Sequence, residues 1–182
     1  MKTLVVHESH FGNTRAVAEA VAEGIAEGIA DGIAESTGTG RAEHVAVVDV
    51  TDAPDQLAAD VDLLVVGAPT HAFSMSRAST RRDALGQGAE PGHDARGVRE
   101  WLATLTLSGT GPTVATFDTR VKAVRRLPGS AAHAAGRSVV KHHLGEVVDS
   151  TSFFVEDSQG PLADGELDRA RAWGRGLATH GA

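Results

Sequence analysis

The stretch Leu4-Val5-Val6-His7-Glu8-Ser9-His10-Phe11-Gly12-Asn13-Thr14-Arg15 decides the fold. Leu4-Val5-Val6 reads as a short, fully apolar strand. From Thr14 to about Glu35 the pattern is helical and rich in Ala, Val and Glu. A strand therefore runs straight into a helix through Ser9-His10-Phe11-Gly12-Asn13-Thr14. The hydroxyls of Ser9 and Thr14 and the amide of Asn13 are hydrogen-bond donors, and Gly12 lets the backbone approach an anion closely. Unpaired N–H groups and the positive end of the dipole at the helix start complete a cradle suited to a terminal phosphate. Arg15 stands in the first helical turn, where the dipole disfavours a cation. Either a bound dianion offsets this or the side chain is simply exposed.

Working outward, apolar runs alternate with helical patterns, the signature of α/β organisation. Val45-Ala46-Val47-Val48, ending near Asp49, reads as a second strand, followed by a short helix around Asp55 to Ala59. Leu63-Leu64-Val65-Val66-Gly67 reads as a third strand, and its unbroken apolar character suits a parallel strand covered on both faces. A long polar stretch from Ala68 to about Asp94 reads as a functional or mobile loop. A helix carrying Val98, Trp101, Leu102 and Leu105 precedes a turn at Ser108–Pro112 and a fourth strand at Thr113–Phe117. Ser130 is placed to cap a helix that ends near Leu144, with Gly145 as its stop. Val147-Val148 or Ser152–Val155 supplies a fifth strand. Asp164 is placed to cap a last helix containing Leu167, Ala170, Trp173 and Leu177.

The first helix contains a near-repeat, Gly24-Ile25-Ala26-Glu27, Gly28-Ile29-Ala30-Asp31 and Gly32-Ile33-Ala34-Glu35, which puts Ile25, Ile29 and Ile33 on one face. Each glycine weakens the helix by about 1 kcal/mol relative to alanine. The repeat reads as an in-frame expansion that lengthens the helix, with no function of its own.

The 182 residues suit a single domain spanning 1–182, with no interior linker. No apolar run approaches the ~20 residues that span a bilayer, so membrane insertion is not expected. No signal peptide is visible and the chain has no Cys, which excludes disulfides, thiolate metal sites and thiol chemistry; a cytoplasmic location fits. The formal net charge of −7 argues against nucleic acid as a partner. It serves either solubility or the steering of a basic partner. None of the nine histidines forms a His-Glu-x-x-His pattern, so no metal is expected. The chain also lacks a Gly-Lys-Ser/Thr phosphate loop, a Gly-x-Gly-x-x-Gly turn after the first strand, and a Gly-x-Ser-x-Gly elbow.

Ser9-x-x-Gly12-Asn13-Thr14 after a leading strand resembles the phosphate loop of the flavodoxin family. Two further segments fall where that family places its flavin-ring loops. They are Gly67-Ala68-Pro69-Thr70-His71 and Thr116-Phe117-Asp118-Thr119-Arg120. The resemblance extends over nearly the whole chain. It implies a flavodoxin-like α/β fold, a doubly wound five-stranded parallel sheet in the order 2-1-3-4-5 with helices on both faces. It also implies FMN as cofactor. Ser9, His10, Phe11, Gly12, Asn13 and Thr14 would surround the phosphate; Pro69, Thr70, His71, Ala72 and Phe73, with Thr116, Phe117, Asp118, Thr119 and Arg120, would flank the ring. The activity implied is electron transfer or a small flavin-dependent oxidoreduction. The partner would be a redox protein or a small electron acceptor.

The sequence departs from that family in two places. Flavodoxins often sandwich the ring between Trp and Tyr, yet this chain has no Tyr and both Trp residues lie in helical patterns. Phe73, Phe117 and Phe11 are the aromatics near the expected ring and phosphate loops. Phe117 either covers a flavin face or packs inward from its strand. Secondly, Ser74-Met75-Ser76-Arg77-Ala78-Ser79-Thr80-Arg81-Arg82 brings three arginines beyond the ring loop. This is either a solvated basic stretch opening a helix or a lid or docking element that stabilises a reduced, anionic flavin. The alternative function is a flavodoxin-like interaction module that does not bind FMN.

Overall fold

Val5 and Val6 show how the sheet is built. Both are fully buried, but on opposite faces: Val5 packs with Val17, Val21, Ile25 and Phe153, and Val6 with Val66, Trp101, Leu102 and Ala135. This follows from the two-residue period of a strand covered on both sides. The structure is a computed structural model and describes residues 1–35, 44–92 and 95–179; the side chains of residues 33–35 also lie outside the described set.

The strands of the main sheet are β1 (Lys2–His7), β2 (His44–Asp49), β3 (Leu63–His71), β4 (Thr113–Val121) and β5 (Glu146–Val155). They are mutually parallel and run β2-β1-β3-β4-β5. Val5 pairs with Val47 on one side and Val65 on the other, and Val65 pairs with Ala115. The helices are α1 (Asn13–Glu35), α2 (Ala78–Gly86), α3 (Val98–Thr104), α4 (Ala131–Lys141) and α5 (Glu166–Leu177). α1 and α5 cover one face, and α3 and α4 the other. From β1 the chain crosses to β2 on one side and then to β3 on the other, so the order reverses between β1 and β3. In open α/β sheets such a reversal leaves a crevice beyond the carboxyl ends of the strands.

The structure corrects several expectations. There is no helix at Asp55–Ala59. Gln56–Leu57 instead pairs in parallel with Thr106–Leu107, and the buried Leu57 joins the core. The polar stretch after Ala68 is ordered chain. β3 continues to His71, turns through Ala72 and Phe73, pairs back at Ser74–Met75, and leads into α2. Of that stretch, residues 93 and 94 lie outside the described residues. Val147-Val148 and Ser152–Val155 belong to one strand, with a register shift opposite Val114/Ala115. Ser130 caps α4 as expected, its Oγ accepting from the His133 N–H at 3.3 Å. Asp164 does not cap α5, whose N-cap is Gly165 in the left-handed region.

Two glycines of the repeat, Gly24 and Gly28, form a packing seam. A Cβ on Gly24 would lie 2.0 Å from the Arg171 carbonyl oxygen, and one on Gly28 2.7 Å from that of Arg175. From the other side, a Cβ on Gly174 would lie 2.2 Å from the Val21 carbonyl oxygen. The backbones of α1 and α5 touch along this line, while Ile25 and Ile29 point into the core. The helix propensity lost at these glycines is offset by contacts that no larger residue permits. Glu27 reinforces the seam from outside through ion pairs to Arg171 and Arg175.

Candidate functional site

The loop between β1 and α1 is held at both ends. Glu8 N–H donates to the Gly67 carbonyl at 3.0 Å, and Arg15 N–H donates to Ser9 Oγ at 3.2 Å. Gly12 adopts φ +81°, a conformation that costs other residues about 1–2 kcal/mol. The first N–H groups of α1 have no intrahelical acceptor, as at any helix start. Asn13 Nδ2 donates to the Gln159 carbonyl at 2.9 Å. The Thr14 hydroxyl is buried and lies 2.8 Å from that of Thr119 at the exit of β4. Arg15 is exposed and forms a double contact with Glu90 at 3.0 and 3.1 Å, and this raises its pKa. The carboxylate accounts for a cation in the first turn of α1.

Three chain segments meet in a cleft of about 280 Å³ beyond the carboxyl ends of β1, β3 and β4. His10, Phe11, Asn13 and Thr14 line it from the first loop, Pro69, Thr70, His71 and Ala72 from the second, and Thr119, Arg120 and Val121 from the third. Ser9 and Gly12 shape the first loop without lining the cleft. Thr70 also braces α4, its Oγ1 accepting from Ala131 N–H at 2.8 Å. Arg120 bends the chain after β4 around itself, donating to the carbonyls of Val124 and Leu127 at 2.7 and 3.1 Å.

Several expected ring residues lie elsewhere. Phe117 is fully buried and packs edge-on against Phe153 and Trp173, with its ring lying directly beneath Gly67. It belongs to the α1/α5 core, so it cannot cover a ligand in the cleft. The alternation of β4 decides this, because Phe117 faces the same side as the buried Ala115. Thr116 points to the other side and bonds Ser150 Oγ at 3.0 Å. Asp118 is buried and accepts the Ala132 N–H at 2.9 Å, at the start of α4. Phe73 sits half exposed at the hairpin tip, outside the cleft lining. Ala72 and Phe73 both take positive φ (47° and 64°), the geometry of a two-residue hairpin turn.

One wall was not foreseen. Thr80, Asp83, Ala84 and Gln87 bring α2 to the cleft, and Val155 and Ser158 close it from the end of β5. None of Arg77, Arg81 and Arg82 is on the lining. Arg77 and Arg82 are exposed, whereas Arg81 is fully buried and donates to Glu100 at 3.0 Å and to Ser76 Oγ at 3.1 Å. Behind the cleft lies a polar network that the sequence did not announce. Glu8 is fully buried, and its carboxylate meets His10 Nε2 at 2.9 Å, Ser76 Oγ at 2.5 Å and Val98 N–H at 2.8 Å. Burial pushes its pKa up, but the hydrogen bonds from His10 and Ser76, the charge of His10 and the Val98 N–H outweigh burial and hold it below the ordinary value. His10 in turn lies ring to ring with half-buried His71, centroids 5.1 Å apart. Burial, then the neighbouring His10, depresses the His71 pKa.

This order of strands and helices is also found in solved structures. A flavodoxin from the domain Archaea superposes with a TM-score of 0.60 at 17% identity, covering 100% of this chain and 99% of that one. The fold is flavodoxin-like. A WrbA-like flavodoxin from Agrobacterium tumefaciens gives 0.56 at 17% identity over 99% and 96% of the two chains. The two-electron-reduced Megasphaera elsdenii flavodoxin gives 0.52 at 14% identity over 96% and 98%. No protein-family model and no curated protein sequence matches the chain. Among the described residues, no helix of this flavodoxin-like fold is long and apolar enough to cross a membrane.

Proposed function

We propose that the cleft binds FMN and that the chain is an electron-transfer protein or a small flavin-dependent oxidoreductase. One observation carries this reading. His10, Phe11, Asn13 and Thr14, from the loop that begins α1, line the same cleft as the segments at Pro69–Ala72 and Thr119–Val121, at the reversal of strand order. The residues suit the phosphate end of the cofactor well. The N–H groups that begin α1, with Asn13 and Thr14 on the lining, would hold the phosphate, and Ser9 would brace the loop from behind by accepting the Arg15 N–H. Pro69, Thr70, His71, Ala72, Thr119 and Arg120 would border the ring, with Phe11 and His71 as the aromatic surfaces on the lining.

Bound FMN supplies a carrier that accepts electrons singly or in pairs. The protein contributes orientation and a partly closed cleft walled by α2. Electrons would come from and go to a separate redox protein or a small acceptor.

The test is a titration of the purified chain with FMN and with riboflavin, read by flavin absorbance and fluorescence. The reading expects FMN to bind at least about tenfold tighter than riboflavin, since one charge-assisted hydrogen bond is worth ~1.5 kcal/mol or more. The burial of Phe117 favours a second reading, an interaction module without cofactor, because it removes the main candidate for stacking. A colourless protein that takes up neither compound would support that reading and overturn the first.

A further inference from the structure

The Glu8–His10–His71 arrangement is not needed to hold a phosphate or to build the sheet. A carboxylate with no exposure is costly to bury, and Glu8 is offset by three donors and the nearby Arg81. Tying β1 to α3 would require only the bond to Val98 N–H, which a neutral side chain can also accept. Instead the carboxylate faces His10, and His10 stacks at a tilt on a second histidine that opens into the cleft. We propose that His71 is the proton-exchanging group of the cleft, and that the buried Glu8–His10 pair positions it and sets its charge. The proposal rests on the FMN reading for its redox role, but the coupling between the two histidines stands on the protein alone.

The step it serves is simple. FMN, if bound, would supply the hydride acceptor, and a substrate giving up a hydride would also release an O–H or N–H proton. A neutral His71 accepts that proton at a ring nitrogen and returns it to solvent through its exposed edge. In the reductive direction the same ring, protonated, delivers it. The surrounding charges are accounted for. Glu8 and His10 face His71 from the end of β1, Arg81 approaches from α2, Asp83 and Thr80 line the cleft beside it, Arg77 borders its outer side, and Arg120 lies across the cleft on β4. Glu100 stands behind Arg81 and engages it.

The test follows the imidazole signals of the full chain by NMR across pH, with and without added FMN. His71 is assigned by its loss in His71→Gln. The expected result is a His71 midpoint below that of an exposed histidine, moving upward in His10→Gln. In flavin-loaded protein, the pH dependence of the flavin potential should show a break that His71→Gln abolishes. A His71 that titrates like an exposed histidine, one unmoved by His10→Gln, or a break that survives His71→Gln would overturn the proposal. Failure to bind FMN would remove the proposed function, and the flavin-free titration would still decide whether the two histidines are coupled.

Discussion

The hydroxyls of Thr14 and Thr119 lie 2.8 Å apart although 105 residues separate them, and both side chains are buried. This contact pins the start of α1 to the exit of β4 and so fixes the spacing of the two loops that bound the cleft. A buried hydroxyl that loses its partner costs about 1–3 kcal/mol, whereas replacing both by apolar groups of similar shape is nearly neutral. Thr14→Val and Thr119→Val should each lower stability by about 1–2 kcal/mol, and the double variant should be no worse than either. Urea unfolding of the four proteins checks this. Additive losses would mean that the hydroxyls act separately.

The α1–α5 seam makes an equally specific claim about glycine. A Cβ on Gly24 would strike the Arg171 carbonyl at 2.0 Å, whereas one on Gly32 meets nothing within 4 Å among the described residues. Gly32→Ala should stabilise the protein by about 0.5–1 kcal/mol through helix propensity. Gly24→Ala should destabilise it by about 2 kcal/mol or more, because two backbones must separate. Thermal melts of the two variants should move in opposite directions.

What the sequence made legible was what is local or buried on both faces. The runs at Leu4–Val6, Leu63–Val66 and Thr113–Phe117 are strands whichever partners they find, and the Gly12 turn carries its own conformation. What stayed hidden depends on partners distant in the chain. Gln56–Leu57 is a strand only because Thr106–Leu107, some fifty residues on, lies beside it. α2 buries only Arg81 and Ala84, so it shows no apolar period and its stretch reads as loop. Glu8 looks like an ordinary acid at the end of a strand until Ser76 and Val98 close over it. The same applies to Phe117, whose neighbours Phe153 and Trp173 decide which way it faces.

The depressed pKa values of Glu8 and His71 make stability depend on pH in a definite direction. In both, the unfolded chain holds the proton at a pH where the folded chain does not, so stability rises with pH and is lost on acidification. For His71 the loss starts as pH falls below its ordinary value of 6.5; for Glu8 it starts below 4.5. Unfolding measured from pH 8 to pH 3 should therefore show two successive declines. His71→Gln should flatten the first, and Glu8→Gln should flatten the second while lowering stability at neutral pH. An unchanged slope in His71→Gln between pH 6.5 and 5 would show that its imidazole titrates alike in both states.

The contrast between Phe117 and Phe11 separates core from cleft. Phe117 has no exposed surface and sits among Phe153, Trp173 and Gly67, while Phe11 is partly exposed and lines the cleft. Phe117→Leu should cost about 1–2 kcal/mol of stability through imperfect repacking, yet leave the FMN affinity of the folded protein unchanged. Phe11→Leu should alter stability by less than about 0.5 kcal/mol, as a surface change does. It should nevertheless weaken FMN about fivefold, the equivalent of the ~1 kcal/mol that an aromatic contact adds beyond its buried area. Fluorescence titration beside denaturant melts measures both quantities on each variant. If Phe117→Leu weakened FMN and Phe11→Leu did not, the ring would have to lie deeper than the cleft, against the core of α1 and α5, and the placement of the cofactor along Pro69–Ala72 would fail.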